Sequence, residues 1–391
     1  MRANACRGCF SPRLVTLYDF GNQPLAGDYP TEPECVRPAK KYPLELTQCG
    51  NCGLLQIVNL PPIEEVFHSN YRYSSSTVPG LVAHFVRYAE WLSRHVREGG
   101  RVFEFGCNDG VLLDRLRALG LSCAGIDASE NVAALARSKG LRVDTGFLTE
   151  EYARKSGALE QYDIVTCSNV LAHIHDVHAT LKAVRLLLKP GGLFAIEVHN
   201  GGYIIGQNQF DTIYHEHLTY FTEGTLRSLV ERCGFEFISC ESTAMHGGGL
   251  RCLARKTNTA EVSVTQIGNE PGHGCEYGSR DAIRRAIDRC KAQVRALYDE
   301  HGPLVGYGAA GRSQMFVNFT GSSQYFQKVY DDSPFRQGRY IVGTNIPIVE
   351  FTGEVSKCVV VLAWNYCDDI AFKVRGSSGR IVALLPEFRD L

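Results

Sequence analysis

Four of the fifteen cysteines are arranged as two pairs, Cys6-x-x-Cys9 and Cys49-x-x-Cys52. Each pair can place two thiolates on one tight turn, and two such turns close a tetrahedral zinc site. Gly53 follows the second pair, as a turn with a positive φ requires. The 39 residues between the pairs exceed the spacing of a minimal zinc ribbon. A redox dithiol would explain neither the duplication nor the absence of a flanking βαβ unit. Four thiolates leave no open coordination position, so the expected metal holds a domain together and does no chemistry. Cys107, Cys123, Cys167, Cys233, Cys240, Cys252, Cys290, Cys358 and Cys367 are scattered through apolar segments and read as small buried hydrophobes.

The stretch Val102–Gly110, VFEFGCNDG, reads as a strand running into a glycine loop. Gly106 and Gly110 let backbone approach a ligand where a Cβ would clash. Asn108 and Asp109 stand where a phosphate loop would carry glycine, and Glu104 lies inside the strand. A carboxylate there repels pyrophosphate but suits the cationic sulfonium and ammonium of S-adenosylmethionine. Asp127 falls 21 residues after Gly106, at the end of the next strand, where a carboxylate can accept from both ribose hydroxyls. Gly146 and Phe147 are candidates to line the adenine, and Asn169 to contact the methionine portion. A nicotinamide dinucleotide fits this loop poorly.

Farther on, Asp211, Tyr214, His215, Glu216 and His217 crowd into one segment, FDTIYHEHLTYF. If extended, His215 and His217 share a face; if helical, Tyr214 and His217 meet. An HxH pair also has metal-ligand spacing, and a polar sheet edge would explain the segment without chemistry. The reading with most chemical content is a general base with an orienting acid, since histidine titrates near neutrality. Gly306-Tyr307-Gly308-Ala309-Ala310-Gly311 matches GxGxxG, which suits a pyrophosphate at a helix N-terminus or close strand-helix packing.

These residues need a scaffold, and the pattern between them supplies one. From about residue 100, apolar strands alternate with helices of ten or so residues, which implies parallel, doubly wound sheets with ligands at the strands' carboxyl ends. The helix HATLKAVRLLLKPGG is expected to stop at its glycines. A polar stretch at 257–278 precedes a long helix over about 279–302, after which the α/β pattern restarts. At 391 residues the chain exceeds one ordinary core. We expect an α/β protein of three parts: a small zinc-binding unit (1–66), a Rossmann-like class I methyltransferase domain (67–256) and a C-terminal Rossmann-like α/β domain (257–391). A net charge of -1 gives no case for nucleic acid or an acidic membrane surface. No apolar run reaches the roughly 20 residues of a spanning helix, and the first ten residues lack a signal's apolar core. A cytoplasmic monomer is expected.

The CxxC pairs, the EFGCNDG loop, SNVLAHIHDVH, IYHEHLTYF and the closing α/β unit, in this order, resemble the zinc-containing sugar 3-C-methyltransferases. The resemblance spans essentially the whole chain, and IYHEH is its most specific element. It implies methyl transfer from S-adenosylmethionine to C3 of a nucleotide-linked 4-keto deoxysugar. It implies His217 as the base that takes the C3 proton, with Glu216, Tyr214 and Tyr73 beside it and Tyr71 near the cofactor. The nucleotide diphosphate sugar would bind between the two α/β domains, with His215, His246, Gly308, Ala309, Arg312, Asp332 and Arg339 as the substrate-side candidates. That family more often has Lys where this chain has Arg312. An O- or N-methyltransferase acting on a small metabolite, or a non-catalytic zinc-bearing adaptor, are the alternatives.

Overall fold

The computed structural model describes residues 3–66, 75–77, 79–258, 281–354 and 356–391. Tyr71, Tyr73 and most of the polar stretch before the long helix lie outside the described residues. Three sheets organise the described residues.

The N-terminal sheet has four strands in the order Leu14–Pro24, Lys41–Cys49, Leu55–Ile57 and Thr219–Tyr220. Its fourth strand comes from the segment directly after His217, with Leu55 opposite Tyr220 and Gln56 opposite Thr219. The zinc-binding unit therefore completes its sheet with the segment under chemical suspicion.

The central sheet has seven strands, and Arg101–Phe105 lies between Ser122–Asp127 on one side and Tyr162–Ser168 on the other. Val143–Thr145 extends one flank. The other runs through Leu188–His199, then Gly249–Lys256 antiparallel, and ends at Phe235–Thr243. Chain direction diverges at Arg101–Phe105, so the ligand crevice opens above its carboxyl end, where the Gly106–Gly110 loop begins. The central strands Arg101–Phe105 and Tyr162–Ser168 are buried almost throughout, which is why they read as apolar runs. Helix Val177–Leu187 is capped by Asp176, whose carboxylate accepts from Ala179 N at 2.9 Å. It ends earlier than its sequence suggests: Leu188 is already extended, and the strand runs through Lys189-Pro190-Gly191. Proline disfavours helical geometry in the residue before it, and Gly191 supplies the positive φ of 71°.

Cys240 and Cys252 depart from the free-thiol expectation. They face each other across neighbouring antiparallel strands, and their sulfurs are bonded.

The C-terminal sheet also has seven strands. Its parallel core runs Pro347–Val349, Phe326–Tyr330, Leu304–Tyr307, Ser356–Val361 and Ser378–Ala383, with Leu304–Tyr307 at the divergence point. Helix Asp281–His301 packs on it through Ile283, Ile287, Val294 and Leu297, in one continuous core with Leu44, Leu46 and Ile57 of the N-terminal sheet. Gln314, fully buried, stitches the two units together. Its amide donates to Ala26 O at 2.6 Å and Asp28 O at 3.3 Å, and its carbonyl accepts from Val342 N at 2.8 Å. Gln314→Ala leaves these buried backbone groups unpaired, at a cost of about 2 kcal/mol. Thermal unfolding of the variant should fall by a few degrees; an unchanged melt would show that the contact carries no stability.

Candidate active site

The four paired cysteines converge. Cys6 Sγ lies 3.5 Å from Cys52 Sγ, Cys9 Sγ lies 3.5 Å from Cys49 Sγ, and all four sulfurs fall within 4.8 Å of one another. A tetrahedral zinc with bonds of about 2.3 Å separates its sulfurs by about 3.8 Å, so the set fits that ion. Backbone amides support the thiolates: Gly8 N donates to Cys6 Sγ, and Asn51 N to Cys49 Sγ. Among the described residues this is the one group of three or more His, Cys, Asp or Glu side chains placed to hold a metal. His215 and His217 do not form a second.

At the carboxyl end of Arg101–Phe105 the predicted cofactor residues gather. Gly106 has a φ of 66°, and a Cβ there would stand 2.3 Å from Val170 Cγ2. Asp127 accepts from Asn108 N at 2.8 Å and Ser129 N at 2.9 Å, locking the loop's shape. Glu104 is buried, and its Oε2 has no partner among the described residues. Burial, together with the charges of Asp127, Asp109 and Glu197, pushes its acid well above the usual range. Crowded carboxylates with one open oxygen are a poor nest for phosphate and a good one for a sulfonium and an ammonium, so S-adenosylmethionine fits. Gly146 donates its N–H to Asp127 O at 2.8 Å, and the neighbouring Phe147 is half exposed at the crevice rim. Asn169 has a φ of 56° and donates its N–H to Glu197 O at 2.8 Å. Ser75 N and Ser76 N reach down to Asn108 Oδ1 and Asp109 Oδ2, so the chain just after Tyr73 sits on the same loop.

Tyr214–His217 is neither strand nor helix but a tight turn, closed by His217 N to Tyr214 O at 3.0 Å. His217 Nδ1 lies 2.8 Å from Thr212 O. A carbonyl can only accept, so Nδ1 carries the proton and Nε2 keeps its lone pair. Burial, then the neighbouring His173, hold His217 well below its ordinary pKa, so it is a neutral base at neutral pH. Its ring lies tilted against those of Tyr214 and His173, with centroids 4.0 Å and 4.9 Å away. Glu216 Oε1 accepts from Gly27 N at 2.7 Å, and Oε2 has no partner among the described residues. Glu216 lines a cavity of about 230 Å³ with Leu25, Lys40 and Tyr42, and burial pushes its acid up to about 7. His215 turns the other way. It is fully buried, Nε2 donates to Pro43 O at 3.2 Å, and burial depresses it to about 4.

Arg312 and His246 come together across the two α/β units: Arg312 Nη1 donates to His246 O at 2.6 Å. Gly308 has a φ of 91° and lies against Ala363, where a Cβ would meet Ala363 Cβ at 2.3 Å. Ala309 N donates to Asp331 Oδ2 at 2.6 Å. Asp332 accepts from Tyr307 and Lys373, and Arg339 donates to Tyr29 O at 2.9 Å. Asp331, His173 and Glu197 also stand at the site, beyond the residues expected from the sequence. His173 Nδ1 donates to Glu216 O at 2.6 Å, and Glu197 receives His84, Arg251 and Ser168 in the crevice. His173 lies in SNVLAHIHDVH, whose histidines were a readable signal. Asp331 was separable from Asp332 only by its burial.

Three family models match in series: a zinc binding domain at residues 6–67, a methyltransferase domain at 81–240 and a C-methyltransferase C-terminal domain at 244–386. The chain belongs to the zinc-binding, S-adenosylmethionine-dependent C-methyltransferases. C-methyltransferase NovU of Streptomyces niveus is 28% identical over 98% of this chain and 96% of its own length. A ubiquinone biosynthesis O-methyltransferase of Stutzerimonas stutzeri is 35% identical, but over 26% of this chain and 46% of its own. A solved S-adenosylmethionine-dependent methyltransferase from Archaeoglobus fulgidus aligns with 45% of this chain and 94% of its own, at 17% identity and a TM-score of 0.38.

For this methyltransferase, two outcomes follow. Cys49→Ser should lower bound zinc, measured by elemental analysis of the purified protein, and lower the melting temperature; full zinc content in the variant would refute the four-cysteine site. Glu104→Gln should weaken S-adenosylmethionine by about tenfold or more in calorimetry. Unchanged affinity would show that its carboxylate does not face the cation.

Proposed function

We propose that this enzyme methylates C3 of a nucleotide-linked 4-keto-6-deoxy sugar. Carbon is methylated only as a carbanion equivalent, which a neighbouring ketone provides as an enolate. That requires a neutral base for the α-proton and donors for the developing oxyanion. His217, held neutral with its proton on Nδ1 and its lone pair on Nε2, is the observation that carries this reading. In the reading, His217 Nε2 takes the C3 proton, and Tyr214 and the acid form of Glu216 are the donors at hand for the oxygen. S-adenosylmethionine, when bound, supplies the methyl group as an electrophile.

A nucleotide sugar also needs a diphosphate site. Helix Gly311–Thr320 begins without a side-chain cap at Ala310, and its first-turn amides have no intrahelical partners. Ser313 Oγ, fully buried in that turn, has no partner among the described residues. A buried hydroxyl without a partner, in the first turn of a helix that follows a glycine loop, suits an anion. The overall likeness to NovU, across nearly the full length of both chains, supports the carbon acceptor over an O- or N-acceptor.

The test is solvent exchange. In D2O with a 4-keto nucleotide sugar and no S-adenosylmethionine, the C3 proton should wash out, and His217→Ala should slow this by about 100-fold or more. Because His217 stays neutral well below pH 6.5, exchange should show no histidine-dependent loss between pH 7.5 and 6.5. Full exchange in His217→Ala, or a histidine limb in that window, would remove it as the base.

A further inference from the structure

We propose that Arg312 is a positioning residue for the Tyr214–His217 turn and not the charge partner of the diphosphate. This rests on the reading of His217 as the base. Arg312 opens the helix of the C-terminal unit that follows the GxGxxG loop, the place from which a cation would be expected to reach a phosphate. Its guanidinium is already engaged. Nε donates to Asp211 Oδ2 at 3.1 Å and Nη2 to Asp211 Oδ1 at 3.0 Å, a bidentate pair. Nη1 takes His246 O at 2.6 Å, and Nη2 also reaches Gln209 Oε1 at 3.4 Å. The guanidinium lies 4.4 Å over the ring of Trp364, whose Nε1 donates to Asp211 Oδ2 at 2.9 Å. Only 12% of the Arg312 side chain is exposed, and 1% of Asp211. A phosphate would have to break a buried, geometrically complete ion pair to recruit this cation.

What the clasp holds is informative. Asp211 sits in the short helical turn Phe210–Thr212, and the next residue, Thr212, supplies the carbonyl that fixes the proton on His217 Nδ1. Gln209, on the other side of Asp211, bonds His199 Nε2 at 2.8 Å and Gly247 O at 2.8 Å. Gly247 is itself pressed on Trp364, where a Cβ would stand 2.3 Å from the ring. Arg312 and Trp364 thus come from the C-terminal unit and grip the two segments of the methyltransferase unit that flank the base. A lysine offers a point charge and cannot make the bidentate, stacked arrangement. The clasp therefore needs arginine, and the diphosphate is left to the helix amides and Ser313.

The test uses the full zinc-loaded enzyme and the variants Arg312→Lys and Asp211→Asn, with Trp364→Phe as a milder probe that keeps the ring. Two readouts are taken. The first needs no substrate: the ring 15N shifts of His217, assigned by their loss in His217→Gln. The parent should show one Nδ1–H tautomer, and both charge variants a tautomer mixture. The second is steady-state kinetics with a 4-keto nucleotide sugar. Arg312→Lys should lower kcat on the order of 10- to 100-fold with KM little changed. Asp211→Asn should match it, and the double variant should be no worse than either single one. A parent-like His217 ring in Arg312→Lys, or a raised KM with kcat kept and no effect of Asp211→Asn, would overturn the proposal and return Arg312 to the diphosphate. If the parent turns over no nucleotide sugar, the substrate reading fails separately, and the His217 spectrum still decides the role of Arg312.

Discussion

The structure turns on one hydrogen bond, from His217 Nδ1–H to the carbonyl of Thr212. It makes a buried imidazole a donor on one side and leaves it a base on the other. Burial, adjacent histidines and the Arg312 charge all disfavour the imidazolium. A base kept neutral by its surroundings does not compete with solvent protons near neutrality, but it must be held in register because nothing ionic anchors it.

The three units share that task. The N-terminal sheet takes Thr219–Tyr220 as its last strand, and Arg7, between two zinc-ligand positions, donates to Leu218 O at 3.2 Å. The methyltransferase unit contributes, from the turn Leu171–His173 after strand Tyr162–Ser168, His173, which grips the Glu216 carbonyl, and Ala172 O, which receives Leu218 N at 2.8 Å. The C-terminal unit closes on Asp211 through Arg312 and Trp364. Zinc, cofactor fold and nucleotide-type fold thus meet on a turn of a few residues. A zinc held by the four cysteines would stiffen the wall against which the turn is built.

Local pattern made much of this legible. Two CxxC pairs declare a tetrahedral site because ligand chemistry is local. Alternating apolar strands and helices declare parallel sheets, and Glu104 with Asp127 declares a cationic ligand. The Tyr214–His217 turn was not legible, since both extended and helical forms suited its spacing. Its conformation is imposed by partners distant in sequence, Gly27, Pro43 and His173 among them. The inward face of Asp331 against the outward face of Asp332, and the diversion of Arg312 to Asp211, are likewise tertiary facts with no periodic signature. The early end of helix Val177–Leu187 was in principle readable from Pro190, which sets the geometry of the residue before it.

The most direct measurement of the central claim is where the methyl group goes. With S-adenosylmethionine labelled by 13C at the methyl and a 4-keto nucleotide sugar labelled by 13C in the hexose, NMR of the product reports the new bond. The account predicts a methyl carbon showing one-bond carbon–carbon coupling to C3 of the sugar. A labelled methyl without that coupling, bonded to oxygen or nitrogen, would contradict it.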